Sequence, residues 1–382
     1  MPVGSQDASC QPDLFGQVAS DPTAWRAVHQ VDVNLLDPLR EVRLAATRRL
    51  LAAADTTELM LDGDATLVDI DSEHKQGAAA NFKGGFGFAP MVCTIEPVGV
   101  IGGGRLRPGN ATANNAGDQL EVIDEAIASL PSKWRAGHGA GDPAWKVNRQ
   151  LVVRGDTAAC SKKMLAGLMD RNLVFSVGLR ACEASAAVIT DLDDDVWVQA
   201  IDTGGRARSA AFVAQIDELG PDWAPAGTRA IVRRERAHPG AKLRLWDYDG
   251  WRHQVVLTND THPDIAVWNC VTAATPRSRT ASRTSRTPDW LACPSTTTTP
   301  TRLWVELVVV AALLLAALQV LVDDDELAVA EPRRLRYTLL HVAARIARHA
   351  RRTWLKLDRA WPWTPQLLGV YNRLSTIPAA TA

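Results

Sequence analysis

The sequence predicts an α/β protein built on one central sheet and followed by a helical C-terminal region. Three observations carry that reading. Between Thr57 and Leu179 the segments read strand, hairpin, helix, strand, helix, strand. A second strand-rich stretch, from Arg229 to Asp260, contains an Asp249-Gly250 turn pair. The apolar run from Leu307 to Val322 has 16 residues, includes Gln319 and abuts Asp323. A membrane span needs roughly 20 such residues, so this run predicts a buried helix and no membrane partner.

Each element has a local cause. PLREVRLAATRRLLAAAD, Pro38 to Asp55, spaces Leu, Val and Ala at helical intervals with arginines opposite. TELMLDGDATLVDI alternates apolar and polar residues around Leu59, Leu61, Leu67 and Val68 and predicts a strand. FGFAPMVCTI and VGVIGGGRLRPG follow as a hairpin pair, with Gly102 to Gly104 read as a turn. NNAGDQLEVIDEAIASLP is a helix with Asn114 or Asn115 as cap and Pro131 as stop. NRQLVVRGD is a buried strand ending at Asp156, SKKMLAGLMDRN a helix, and LVFSVGL a strand. RAIVRRERA and AKLRLWDYDGWRHQVVLTND form a β region. From Leu303 to Arg359 the pattern predicts two long helices split at Glu331-Pro332. This order is that of a ribonuclease-H-like domain carrying a β-rich insertion and C-terminal helices. The expected boundaries are 1–55 for an N-terminal helical remnant and 56–268 for the core, with the insertion at about 180–262. An interrupting tract takes 269–302 and a helical region 303–382.

Composition narrows the class. The chain has 382 residues, 46% apolar and 22% charged, with a net charge of −1, the balance of an ordinary globular protein of two or three domains. The even total hides a basic C-terminal stretch: Glu331 to Arg359 holds nine Lys/Arg and two acids. A polyanion fits such a stretch, as does a solvated helix face. The arginines concerned are Arg333, Arg334, Arg336, Arg345, Arg348, Arg351 and Arg352. Arg233, Arg234 and Arg236 alternate with Val232 and Glu235, which suits either a DNA-facing strand edge or a plain exposed strand. Six cysteines lack CxxC spacing, so neither zinc nor a disulfide framework is expected. Reduced thiols and the absence of a basic-then-apolar leader suggest a cytoplasmic protein.

Candidate chemistry rests on acids. Two magnesium ions about 4 Å apart can clamp the attacking and leaving oxygens of a phosphodiester. Magnesium takes carboxylate and water oxygens, so few protein ligands suffice. Asp62 and Asp64 lie two apart on one strand and share a face, so one can be a ligand and the other a support. Asp156 ends the strand expected beside it. Spacing alone leaves solvent-facing acids as the commoner explanation.

The motifs LDGDATLVDIDSEHKQGAAANFKGGFGFAPMV, LRPGNATANNAGDQ, LVVRGD and VRRERAHPGAKLR occur in order. Together they resemble the DDE transposases of bacterial insertion sequences, in the branch with LDxDATLV, KGGFGF and LRPGN motifs. EPRRLRYTLLHVAARIARHARRTWLKL and WPWT resemble that family's C-terminal part. The resemblance runs from Leu14 to about Val267 and resumes from Leu303 to Leu374. It implies that Asp64 is the first catalytic acid and Asp156 the second, with Asp62 the alternative for the first. It implies a two-magnesium site, DNA as partner through transposon ends and target, and a homodimer as an open alternative. The implied reaction is hydrolysis at the transposon end followed by attack of the freed 3′ hydroxyl on target DNA. In the family an N-terminal helical region precedes the stretch that begins QPDLFGQVASDPTAWR, and MPVGSQDASC does not resemble it.

The resemblance breaks at CVTAATPRSRTASRTSRTPDWLACPSTTTTPTR, Cys270 to Arg302. Of these 33 residues 23 are Ser, Thr, Arg or Pro, and Asp289 is the only acid. The family places its third acid, a Glu, on a helix at this point. Codons read one base earlier restore the pattern. Trp268 ends in G and Asn269 begins AA, which forces GAA, glutamate; Cys270 then forces leucine. Ser278-Arg279-Thr280-Ala281 can yield Val-Glu-Asp-Arg, and Ser285 to Pro294 can yield LKDTGLARLP. The expectation is a single-base shift near Trp268, reversed near Thr301, with the missing Glu beneath Arg279. A disordered linker in place of the helix is the alternative. On either reading a transposase by descent lacks its third acid and is expected to be catalytically defective.

Overall fold

The computed structural model describes residues 26, 30–71, 74–180, 182–202, 205–237, 240, 247, 249–273, 298–349 and 352–377. Helix α1 (Leu36–Ala54) precedes strand β1 (Met60–Ala65). Three short strands, β2 (Val68–Asp69), β3 (Ala79–Ala80) and β4 (Phe86–Phe88), form a small sheet of their own. The core continues with β5 (Met91–Glu96), β6 (Val100–Arg105), α2 (Ala116–Ala128), β7 (Val152–Gly155), α3 (Lys162–Met169) and β8 (Val174–Leu179). After α4 (Glu183–Thr190) come β9 (Val198–Ile201), β10 (Ala207–Gln215), β11 (Arg229–Arg236) and β12 (Trp251–Thr258).

All but the three short strands join in one nine-stranded sheet of order β6-β5-β1-β7-β8-β12-β11-β10-β9. Its first five members are an antiparallel meander with β7 and β8 running parallel to β1. That is the ribonuclease-H-like arrangement. The added strands are not a separate layer: β12 pairs antiparallel with β8, so the insertion prolongs the same sheet.

Alternation sorts the side chains between two faces. On one face Leu61, Cys93, Ile95, Val153 and Phe175 meet Val122, Ile123 and Ala126 of α2 and Leu165 and Leu168 of α3 in the main core. Close approach of α2 explains the GGG run. These glycines lie inside β6 and are not the expected turn. A Cβ on Gly103 would sit 2.1 Å from the Val122 carbonyl oxygen, so only glycine lets the helix pack this near. Asn115, not Asn114, caps α2, its Oδ1 accepting from the Gly117 N–H at 3.0 Å.

The second face carries two helices. Helix α5 (Ile265–Ala273) places Ala266 and Trp268 against Val213 and Ile231. Helix α6 (Thr298–Leu321) places Val309 and Ala312 against Val92 and Ile101. The apolar run is thus a core helix; no helix among the described residues is long and apolar enough to cross a membrane. Of the Ser/Thr/Arg tract, Cys270–Ala273 end α5 and Thr298–Arg302 open α6, while 274–297, with Arg279, lie outside the described residues.

The C-terminal helices were only partly as expected. Past α6 come short turns at Asp325–Ala328 and Pro332–Leu335 and a π-turn at Arg336–Leu340. The expected second long helix is instead a hairpin, β13 (Ala344–His349) and β14 (Arg352–Leu357), followed by α7 (Thr364–Thr376). Ala, Arg and Leu gave ARIARHARRTWLKL a helical propensity. Its cross-strand pairs Ile346–Leu355 and Arg345–Lys356 satisfy the backbone as a ribbon instead.

Candidate metal-binding active site

Strands β1 and β7 are hydrogen-bonded neighbours in parallel, with Asp62 opposite Arg154. Continuing that register by two residues brings Asp64 and Asp156 level, just past the paired stretch. Both residues are exposed and both line one small cavity of about 40 Å³ at the carboxyl ends of the strands. Open α/β sheets bind ligands at these ends because the connections diverge there. Asp64 also lies directly opposite Val92, which packs under α6, while Gly178 of β8 lies opposite Val256, which packs under α5. By alternation Asp64 shares the second face with Val92, while the cavity that both acids line reaches under α2 on the first face.

Each acid is held by local structure. The Asp156 carboxylate accepts from the Ala158 N–H at 2.8 Å and its carbonyl from the Ala159 N–H at 3.1 Å, which fixes the turn after β7. Asp62 is buried, and both of its oxygens accept from Arg154, Nε and Nη2 each at 2.6 Å. The bidentate guanidinium engages both oxygens of Asp62, the carboxylate edge a metal would need. Behind Asp62 the Cys93 thiol is pushed far above its ordinary range by burial first, then by the Asp62 and Glu125 charges; it is an inert core thiol.

One residue of this site was not singled out from the sequence. Gln119 of α2 lines the same cavity, nearly buried. Its Nε2 donates to the Ala113 and Ala158 carbonyls at 2.8 and 3.3 Å, which turns Oε1 away from them; that buried oxygen has no hydrogen-bond partner among the described residues. The same cavity is lined mostly by apolar residues, Met91, Val122, Ile123, Val153 and Met164 among them, and its candidate hard donors for magnesium are Asp64, Asp156 and the Gln119 amide oxygen. Among the described residues no group of three or more His, Cys, Asp or Glu gathers as a metal site.

The arginines of the insertion lie elsewhere than expected. β11 is an internal strand between β10 and β12, so the edge reading of Arg233, Arg234 and Arg236 does not hold. The Arg234 guanidinium lies 4.1 Å from the Trp197 ring centre and 5.0 Å from those of Phe212 and Trp251, and Arg236 lies 4.0 Å from that of Trp251. They line a cavity of about 500 Å³ on the first face of the sheet, and Arg233 is on the second. Of the C-terminal arginines, Arg333, Arg334 and Arg336 are exposed on the turns, and Arg345 and Arg348 are exposed on β13. Arg352 opens β14, and Arg351 lies outside the described residues.

The sheet order is ribonuclease-H-like, and Asp64 and Asp156 stand at the ends of adjacent strands in it. The chain matches the family model for the transposase DDE domain group 1 over residues 4–379, and it belongs to that family. Among solved structures, the piggyBac transposase in a synaptic complex with hairpin DNA, seen by cryo-EM, is similar with a TM-score of 0.39 and 8% identity. That match covers 67% of this chain and 46% of that chain, so this protein spans less than half of it. No curated protein matches the chain.

Proposed function

We propose that this chain is an insertion-sequence transposase by descent whose DNA-cutting centre is incomplete. The observation that carries the reading is the placement of Asp64 and Asp156 at the carboxyl ends of adjacent parallel strands, on one cavity. When bound there, magnesium supplies the activation of an attacking water and neutralises the leaving oxygen. Asp64 and Asp156 would hold the metal. Arg154 locks Asp62 and so stiffens both strands beneath the site. The third carboxylate belongs on the helix that α5 begins, and in this chain that stretch reads Ser, Thr, Arg and Pro. With two acids one ion lacks a ligand, and a misplacement of about 1 Å costs on the order of a hundredfold.

The test is nicking of a supercoiled plasmid and of end-containing duplexes with magnesium. We expect no measurable cleavage from the chain as it stands. Robust cleavage that disappears in Asp156→Ala would overturn the defect while retaining the site.

A second reading, a DNA-binding protein without catalysis, is favoured by the β13–β14 ribbon, whose Arg345 and Arg348 are exposed. A two-stranded ribbon fits the major groove, and basic side chains release counterions from phosphates. Binding to duplex DNA is expected to fall steeply with salt. Removing Arg345 and Arg348 together should reduce the slope of log K on log salt by about 2, close to 0.9 per phosphate contact. An unchanged slope removes the ribbon from the interface.

A further inference from the structure

We infer that the cavity of about 500 Å³ over strands β10 to β12 is a nucleotide site, taking a phosphate on Arg234 and Arg236 and a flat base against their aromatic neighbours. The inference deepens the reading of the chain as a DNA-handling protein and rests on that reading for the source of the nucleotide. The cavity lies where the core of the first face runs out. Ala214, Val232 and Val255 are buried core residues, level with one another on three adjacent strands. Two positions along the same face stand Phe212, Arg234 and His253, again level, and Trp251 opposite Arg236 comes two further on. Ile189 of α4 and Leu192 also line the space. It shares no lining residue with the Asp64–Asp156 cavity.

A guanidinium on a packed face is ordinarily paired with a carboxylate. Arg234 is surrounded by rings instead, 4.1 Å from the centre of Trp197 and 5.0 Å from those of Phe212 and Trp251. Stacking uses the flat face of the guanidinium and leaves its N–H edge to donate. That edge is little used. Nη2 reaches Asp194 at 3.4 Å, and the Asp194 side chain is 97% exposed. Nε is buried and has no hydrogen-bond partner among the described residues. Arg236 stacks 4.0 Å from the Trp251 centre and donates from Nη1 to the Asp249 carbonyl at 2.9 Å. The two acids that line the cavity, Asp194 and Asp249, are exposed, so water weakens their hold on the cations. Two stacked cations with donors to spare suit an anion. Inorganic phosphate alone would fill a minor part of the space, whereas clefts of about 300–1,000 Å³ hold ligands that carry a ring system as well. Bases stack on aromatic rings and on guanidinium planes alike, and this wall offers both. A paired base lies inside its duplex, so the ligand is a free nucleotide or an unpaired one in a single strand.

Binding to the full chain tests the assignment, read by anisotropy of a labelled oligothymidylate strand and by calorimetry with thymidine monophosphate. Both should bind. Arg234→Gln should weaken both by about tenfold or more, and Arg236→Gln should weaken both to a smaller extent. Thymidine and inorganic phosphate, the two halves of the ligand, should each bind at least about tenfold more weakly than the monophosphate. A labelled duplex, which the ribbon reading assigns to Arg345 and Arg348, should bind the two cavity variants as it binds the parent. Tighter binding of the strand than of the monophosphate gives a DNA strand as the source, and the reverse gives a free nucleotide. Inorganic phosphate held as tightly as the nucleotide would reduce the cavity to an anion site and overturn the proposal. Parent-like binding of strand and monophosphate by the folded variants, or no binding of either by the parent, also overturns it. If Arg234→Gln does not fold, Arg236→Gln, at an exposed position, decides. The two readings fail separately. Duplex binding without nucleotide binding removes the cavity alone, and monophosphate binding without strand or duplex binding removes the DNA reading alone.

Discussion

Replacing Glu306 by glutamine is expected to destabilise the protein by about 3 kcal/mol, because it leaves Arg43 and Arg40 to share one carboxylate, Glu125, in a buried cluster. Glu306, in the first turns of α6, is 5% exposed and Arg43 of α1 is 2% exposed. Arg43 Nε donates to Glu306 Oε2 at 3.0 Å, Nη1 to the Gly102 carbonyl at 3.1 Å, and Nη2 to Glu125 of α2. Arg40 adds contacts to Glu306 at 3.1 Å and to Glu125 at 3.3 Å. Four elements, α1, α2, β6 and α6, share one cluster of two cations and two anions. Removing one member strands the others in low dielectric, and no water can enter cheaply to replace it. Urea unfolding should show the loss in the midpoint. Glu121→Gln, which removes an exposed partner of Arg105, is the control and should change stability by less than about 1 kcal/mol. Similar losses in the two variants would show that the cluster has no special weight.

Restoring the earlier frame from Asn269 to Thr301 is the second large effect. The rebuilt segment would continue the helix begun by α5 and include the change Arg279→Glu. If the third acid is what the chain lacks, magnesium-dependent nicking should rise by at least about a hundredfold over the parent. Asp64→Ala and Asp156→Ala must each abolish the gain. A rebuilt chain that folds, binds DNA and still does not nick would locate the defect outside the tract. A gene sequence whose codons at Ser278 and Arg279 cannot give GAG one base earlier would remove the frameshift itself.

Much of the sheet could be read from the chain because its strands obey a period of two and its helices are punctuated. Leu61, Asp62 and Asp64 declare their faces by alternation alone. Asn115 and Pro131 mark helix ends through backbone chemistry that acts within a few residues. Asp249 and Gly250, with φ of 48° and 73°, adopt the left-handed pair their identities suggest. What stayed hidden depended on distant partners. Gly102 to Gly104 looked like a turn because glycine marks both turns and close packing; only α2, lying over β6, decides which. The arginines of β11 looked like an edge because nothing local says that β10 and β12 flank it. Arg345 and Arg348 sit in a segment whose residues favour helix, and the ribbon wins through pairing with residues 352–357. Of the residues that line the candidate cavity, Asp64 and Asp156 could be singled out by spacing, whereas Gln119 could not, since its mark is an oxygen turned away by two hydrogen bonds its amide nitrogen makes elsewhere.

The passage from α5 to α6 has a consequence for how such a chain survives. Arg43 and Glu306 are 263 positions apart, and the stretch 274–297 joins the two helices that cover the second face. The entropy of closing a connection grows with the logarithm of its length and is indifferent, to first order, to which residues fill it. A shift that is opened and then reversed exchanges every residue between the two events and keeps their number. On the proposed double shift, helix α6 would reach its berth with the same closure entropy and present the same Glu306 to Arg43. Proteases and chaperones read exposed core and unfolded population, and neither changes much. A lesion of this kind is silent to the cell's inspection of foldedness, and it is felt only where the chemistry was done.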